Sequence, residues 1–310
     1  MKVYTICNAL FVRVQKEEPK YFLLDSGGRS FSPEFSRITS DDIGAEVDFS
    51  LSLNSSWLVD LRLASRFFGI PIVGFLGREF FDLFENILLH GRGREVRFNV
   101  SSFDATSSIP FGAMASFKEG GEQRRIAIDT GSFACMNFSH QNYHGPRSAE
   151  FIMPSVGRDL HINYAMMGLE IDGHFYGEVF TGLPKNFGDP GLHILGASFL
   201  EKYECLWDKE NKKLFLKEST KPQIFPTNPT HSFRIQVEMV DHQIVVSHVL
   251  NGCPLDVKKG DIITLPGIDM EDPEIMNTVY ERLVFKTDGN PVRMAINGKE
   301  GEYTPVSFFE

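Results

Sequence analysis

The chain has 310 residues, too many for one ordinary domain and suited to two or three; at that length folding buries roughly three quarters of the unfolded surface, so no covalent staples are required. A formal charge of −10 at pH 7 excludes the clustered Lys and Arg of a phosphate-binding surface, and nucleic acid is not expected as a partner. The four cysteines, Cys7, Cys135, Cys205 and Cys253, stand far apart without a CxxC pair, which excludes a zinc ribbon or a dense disulfide framework and leaves buried thiols.

Residues 1–10 carry one early lysine but no long apolar core and no small-residue cleavage site, so they do not read as a signal peptide. No apolar run of about 18 residues follows, no membrane span is expected, and the cytoplasm is the default location. The first clear strand, Tyr21-Phe22-Leu23-Leu24, runs into Asp25-Ser26-Gly27-Gly28. Residues 41–53 alternate through Val47, Phe49, Leu51 and Leu53 and read as a hairpin arm that could overhang a site. Gly74-Phe75-Leu76-Gly77 leads into a short aromatic helix beginning Arg78-Glu79-Phe80-Phe81, and residues 85–98 form a hairpin with Gly91 and Gly93 at its turn.

The same order then repeats. Arg125-Ile126-Ala127-Ile128 runs into Asp129-Thr130-Gly131-Ser132, and His193-Ile194-Leu195-Gly196 leads into Ala197-Ser198-Phe199-Leu200. A hairpin over residues 205–216 follows, turning at Asp208-Lys209-Glu210-Asn211. Either Asp-hydroxyl-Gly tripeptide alone is a common turn, because Asp and Ser bond local backbone and Gly accepts positive φ. Two copies, each after an apolar strand and each followed by apolar-apolar-Gly and an aromatic helix, point to a paired site.

Packed about a pseudo-twofold axis, the two turns would set the Asp25 and Asp129 carboxyl groups side by side. Like charges that close share one proton, which supplies one acid and one base. Such a pair can activate a water against a peptide carbonyl and protonate the leaving nitrogen, without metal, cofactor or covalent intermediate. Ser26 and Thr130 would bond across the interface, and Gly27 and Gly131 would let the backbone turn tightly beneath the carboxyl groups.

These turns, with Phe75-Leu76-Gly77, Ile194-Leu195-Gly196 and the helices after them, resemble the pepsin and retropepsin superfamily of aspartic peptidases over about residues 1–218. The resemblance implies a mainly β, bilobal acid-protease β-barrel fold made of two short duplicated lobes, with Asp25 and Asp129 catalytic and a polypeptide as substrate. It further implies that Gly77 and Gly196 support the floor of each half-site. The sequence departs from the family in having Ser26 where Thr is commoner, Gly28 where Ala or Ser is usual, and no tyrosine between Tyr21 and Tyr143 for a flap. The expected lobes are residues 1–105 and 106–218.

Residues 219–230, with three prolines and no periodicity, read as a stiff linker to a domain over 231–310. That domain offers a strand at Ile244-Val245-Val246-Ser247-His248-Val249, another entered by Lys259-Gly260-Asp261-Ile262-Ile263, a helix after Asp272-Pro273-Glu274, and a closing hairpin. It resembles a PDZ domain of the bacterial protease-associated type, a small α+β fold. The resemblance implies strand addition by a peptide or protein C-terminus, with Ser232, Phe233, Arg234 and Ile235 as the loop that would hold its carboxylate.

Two other readings compete. A peptide-binding scaffold without turnover would account for Gly28, the missing flap tyrosine and a carboxylate loop that lacks its usual glycine. A metal-dependent hydrolase would use His140, His144 and His161, but no glutamate lies between His140 and His144 as HExxH requires, and Asn142-Tyr143 with Gly145-Pro146 read as a loop. No metal is expected. Likewise Gly91-Arg92-Gly93-Arg94-Glu95 is a hairpin turn, not a phosphate fingerprint.

Overall fold

The computed structural model describes residues 1–310 except 15–17, 54–59, 91, 119–121 and 156–157, and it is mainly β. In the first half, Tyr4–Ile6, Ala9–Val14 and Lys20–Leu24 form an antiparallel meander, and Ile72–Leu76 joins it parallel to Lys20–Leu24. The last two strands are almost wholly buried, as near-continuous apolar runs covered on both faces should be. The first hairpin closes on Cys7 and Asn8, whose φ angles of 50° and 65° are those of a two-residue I′ turn.

The alternating stretch 41–53 does not form one long hairpin arm. A helical turn, α1 (Ser40–Ile43), interrupts it, and only Asp48–Ser50 is a strand, paired with Arg37–Thr39. A capping box explains this: the Asp42 carboxylate accepts from the Thr39 N–H at 2.9 Å, and Gly44 closes the turn at φ 66°. The period-two pattern of Val47, Phe49 and Leu51 lies beyond this turn and coincides with the strand Asp48–Ser50. A second helix, α2 (Leu61–Phe68), was not expected; Asp60 caps it, Gly69 ends it at φ 71°, and Ala64, Phe67 and Phe68 make its buried stripe.

The expected short helices are present as α3 (Arg78–Phe81) and α4 (Ala197–Leu200). The second half is a larger copy of the plan. Arg124–Ile128 runs parallel to Leu192–Leu195, and the sheet continues through Cys135–Met136, His174–Pro184 and Arg158–Ile171. Met114–Phe117 pairs with both Arg124–Ile128 and the end of Arg158–Ile171, which closes the barrel; Phe151–Ser155 lies outside on the first part of Arg158–Ile171.

Both expected hairpins occur, Asn86–His90 with Glu95–Phe98 and Tyr203–Asp208 with Lys213–Glu218; Gly91 lies outside the described residues. The two hairpins join edge to edge through Leu89 opposite Cys205 and Asn86 opposite Asp208, and Ser107–Pro110 adds a fifth strand. One sheet thus interleaves both halves. Arg92 reinforces it, holding Glu201 with two bonds of 3.1 Å while its remaining nitrogen donates to the Lys221 carbonyl at 3.0 Å.

The C-terminal part is a five-stranded sheet in the order Ile235–Val240, Gln243–Val249, Ile262–Thr264, Val292–Ile296, Lys299–Tyr303, packed with α5 (Ile275–Leu283). Residues 219–230 contain no helix or strand, yet Phe225 is fully buried. It enters an aromatic cluster in which Phe285 meets Phe133 at 5.3 Å, Phe225 at 5.7 Å, Phe308 at 5.7 Å and Phe151 at 5.8 Å between ring centroids. No helix among the described residues is long and apolar enough to cross a membrane.

Because that cluster joins the second lobe, residues 219–230 and the C-terminal sheet, Phe285→Ala is expected to cost about 3–5 kcal/mol. Denaturant unfolding followed by tryptophan fluorescence, from Trp57 and Trp207, and by far-UV dichroism should give one coincident transition at a lower midpoint. Two separated transitions would show that the cluster does not couple the parts.

Candidate functional site

Asp25 and Asp129 each follow the end of a buried strand whose parallel partner fixes the turn. The Asp25 N–H donates to the Leu76 carbonyl at 2.9 Å, and the Asp129 N–H to the Leu195 carbonyl at 3.1 Å. The turns then close in the same way. Gly27 and Gly28 N–H donate to Asp25 Oδ1 at 3.1 and 2.9 Å, and Gly131 and Ser132 N–H to Asp129 Oδ1 at 2.9 and 3.2 Å. Two amides on one oxygen fix each carboxyl group in orientation and favour its charged form.

Across the interface the hydroxyls exchange partners. Ser26 Oγ donates to the Ile128 carbonyl at 3.0 Å and accepts the Thr130 N–H at 3.1 Å. In return, Thr130 Oγ1 donates to the Leu24 carbonyl at 2.7 Å and accepts the Ser26 N–H at 3.1 Å. Both side chains are 2 % exposed, so these four bonds are made out of water, where an unmade partner would be costly.

Glycine at 27 and 131 has a contact reason. A Cβ on Gly27 would come within 2.5 Å of Asp129 Cγ, and one on Gly131 within 2.7 Å of Asp25 Cγ, so each carboxyl group lies over the other lobe's glycine. Gly28 follows suit, since a Cβ there would stand 2.5 Å from Asp25 Oδ2. Gly77 and Gly196 each press against the backbone of the loop in their own half, at Gly28 to Ser30 and at Ser132 to Ala134. The loops beyond are tied by Glu79, which accepts the Ser30 N–H at 2.8 Å, and at the matching position by Ser198 Oγ, which accepts the Cys135 N–H at 3.2 Å. The sequence marked Gly28 only as a departure from the family pattern and gave Ser132, Glu79 and Ser198 no role; the amides two and three residues after each Asp were readable as the donors of an Asx-type turn.

Burial pushes the Asp25 carboxyl well above the usual carboxylate range, and the adjacent Asp129 charge adds to the effect. Burial also raises Asp129, while a hydrogen bond from Asp25 and the Gly131, Ser132 and Gly27 amides oppose it. Both carboxyl groups are thus pushed toward the protonated form, and groups that interact this closely titrate as a pair.

The other expected residues lie elsewhere. Ser232, Phe233 and Ile235 are at most 1 % exposed and Arg234 8 %; the Phe233 N–H donates to the Leu283 carbonyl at 2.9 Å and the Arg234 N–H to Ser232 Oγ at 2.8 Å. In this arrangement the segment is packed, and those two amides are already used. His161 pairs with Glu150 at 2.8 Å, and among the described residues no three His, Cys, Asp or Glu side chains gather as a metal would need.

Both carboxyl pKa values are raised on folding, so the stability they contribute is complete at low pH and lost as pH rises through the folded values. Asp25→Asn removes the second ionisation. It is expected to raise the thermal midpoint by a few degrees at pH 7, with the gain vanishing below the ordinary carboxylate range. Differential scanning calorimetry across pH checks this, and an equal gain at every pH would contradict it.

No protein-family model matches this chain, and no curated protein does. Among solved structures it is similar to the crystal structure of an aspartic proteinase from Irpex lacteus, with 14 % identity and a TM-score of 0.39 over 68 % of this chain and 94 % of that one.

Proposed function

We propose that this protein is an aspartic-type endopeptidase whose Asp25 and Asp129 share one proton and activate a water. The observation that carries the reading is the juxtaposition of these half-buried carboxyl groups, each oriented by two backbone amides and each lying against the other half's glycine. In the singly protonated pair, the ionised carboxylate takes a proton from a water held between the two groups as that water attacks the peptide carbonyl. The protonated partner hydrogen-bonds the carbonyl oxygen. That partner passes its proton to the oxygen to give the neutral gem-diol; on collapse the C–N bond breaks as the carboxyl that took the water's proton gives it to the nitrogen, one gem-diol hydroxyl returns its proton to the other carboxylate, and the pair is again singly protonated. Each product leaves as a free carboxyl or a free amine, with no covalent bond to the protein.

Two ionisations bracket this state, so kcat/KM should be bell-shaped in pH. The active form is lost when the remaining carboxylate is protonated and again when the shared proton leaves. Burial moves the upper limb to higher pH than an exposed pair would show.

The test is cleavage of a diverse peptide library from pH 3 to 8 by the native protein, Asp25→Asn and Asp129→Asn, with and without a chelator. Each substitution should lower turnover by about 10²–10⁴-fold, and the chelator should change nothing. Absence of cleavage by the well-folded native protein at every pH would favour the peptide-binding scaffold, and chelator-sensitive cleavage a metal-dependent hydrolase.

A further inference from the structure

Among the described residues, Tyr4–Ile6 in the first half and Phe151–Ser155 in the second each lie at the edge of a sheet. Such an edge presents main-chain donors and acceptors that another strand could take. At both edges the C-terminal domain places a side chain where a strand's peptide group would otherwise stand.

At the first edge, Asn277 Oδ1 accepts the Cys7 N–H at 2.7 Å and Asn277 Nδ2 donates to the Thr5 carbonyl at 2.6 Å. Beside it Glu274 Oε1 accepts the Thr5 N–H at 2.8 Å. At the second edge, Gln236 Oε1 accepts the Ile152 N–H and Gln236 Nε2 donates to the Ile152 carbonyl, both at 2.7 Å. A carboxamide carries one acceptor and donors in the same plane, as a peptide group does, so it can cap a strand edge without adding a strand.

Helix α2 completes the bridge. Its Phe68 packs on Phe11 of the first lobe at 4.8 Å, and its Phe67 packs on Tyr280 of α5 at 5.2 Å. The Tyr280 hydroxyl donates to the Val237 carbonyl at 3.0 Å, and Gly69 sits so near α5 that a Cβ would come within 2.6 Å of Met276 Cγ. The face formed by Ile235–Val240 and α5, where the resemblance to PDZ domains would seat a foreign peptide, is covered by a helix of the same chain.

We propose that the C-terminal domain is an interlobe clamp whose ligand is this chain itself. Gln236 and Asn277 are its two grips, one on each lobe, and they set how the two half-sites face one another. The clamp goes beyond the peptidase reading, and its test does not use turnover, so the two stand or fall separately.

Hydrogen exchange at single amides reads it directly, in the full chain. Asn277→Leu should speed exchange at Cys7 by about tenfold and leave Ile152 unchanged, and Gln236→Met should do the converse. The acidic variants Asn277→Asp and Gln236→Glu keep the acceptor and lose the donor, so they give the same pattern more weakly and serve if the apolar ones do not fold. In the double variant, exchange should also quicken at Ser26 and Thr130, whose amides cross between the lobes. Unchanged edge amides would overturn the proposal. So would edge amides that quicken while Ser26 and Thr130 stay protected, since that is local edge capping only. A third contrary result is an apolar peptide with a free carboxylate that binds and speeds exchange across residues 61–68, which would make the domain a receptor and α2 its plug.

Discussion

Two half-buried carboxyl groups set against one another repel unless a proton stays between them, and everything around Asp25 and Asp129 bears on holding them there. The amides of Gly27, Gly28, Gly131 and Ser132 orient the two groups and partly offset the desolvation. The reciprocal bonds of Ser26 and Thr130 keep the loops from drifting apart. Beneath them, Gly77 and Gly196 leave room for backbone to lie on backbone. Remove the enforced proximity and what remains is two ordinary acidic turns.

The two halves meet this constraint with unequal means. The second closes a barrel, whereas among the described residues the first sets its turn on a sheet of four strands and leans on α2 and the C-terminal domain. A small lobe buries a smaller fraction of its surface and is correspondingly marginal. The missing packing comes from a different part of the chain, through Phe67 against Tyr280 and through Asn277 and Glu274 on the first hairpin.

What the sequence disclosed was whatever repeats or is local. Asp25 and Asp129, the glycines after them, both apolar-apolar-Gly segments and both hairpins could be read because each is written twice in the same order. Helix α2 was passed over although Leu61, Ala64, Phe67 and Phe68 recur at helical spacing between the Asp60 cap and the Gly69 stop; at eight residues it is short enough to read as loop. In residues 41–53 the alternation was real, yet Thr39 and Asp42 cap a helical turn within it. The three prolines of residues 219–230 suggested a spacer, and composition does not tell a spacer from a strap that buries Phe225. Least legible were Gln236 and Asn277. An isolated amide side chain announces nothing when its partner is Cys7, 270 residues away.

The sheet that interleaves the hairpins of both halves bears on how the molecule is made. Asn86–His90 has Glu95–Phe98 on one side, but its other side waits for Tyr203–Asp208, more than a hundred residues later. At synthesis rates of about 5–20 residues per second, that side stays open for seconds after its own hairpin has formed. Pairing at such separation is slow, because loop-closure entropy must be overcome before the contacts can compensate. The first lobe therefore passes through an interval as an unfinished sheet with an apolar edge at Ile87, Leu88 and Leu89. That interval, rather than the finished fold, is when the chain is most exposed to aggregation.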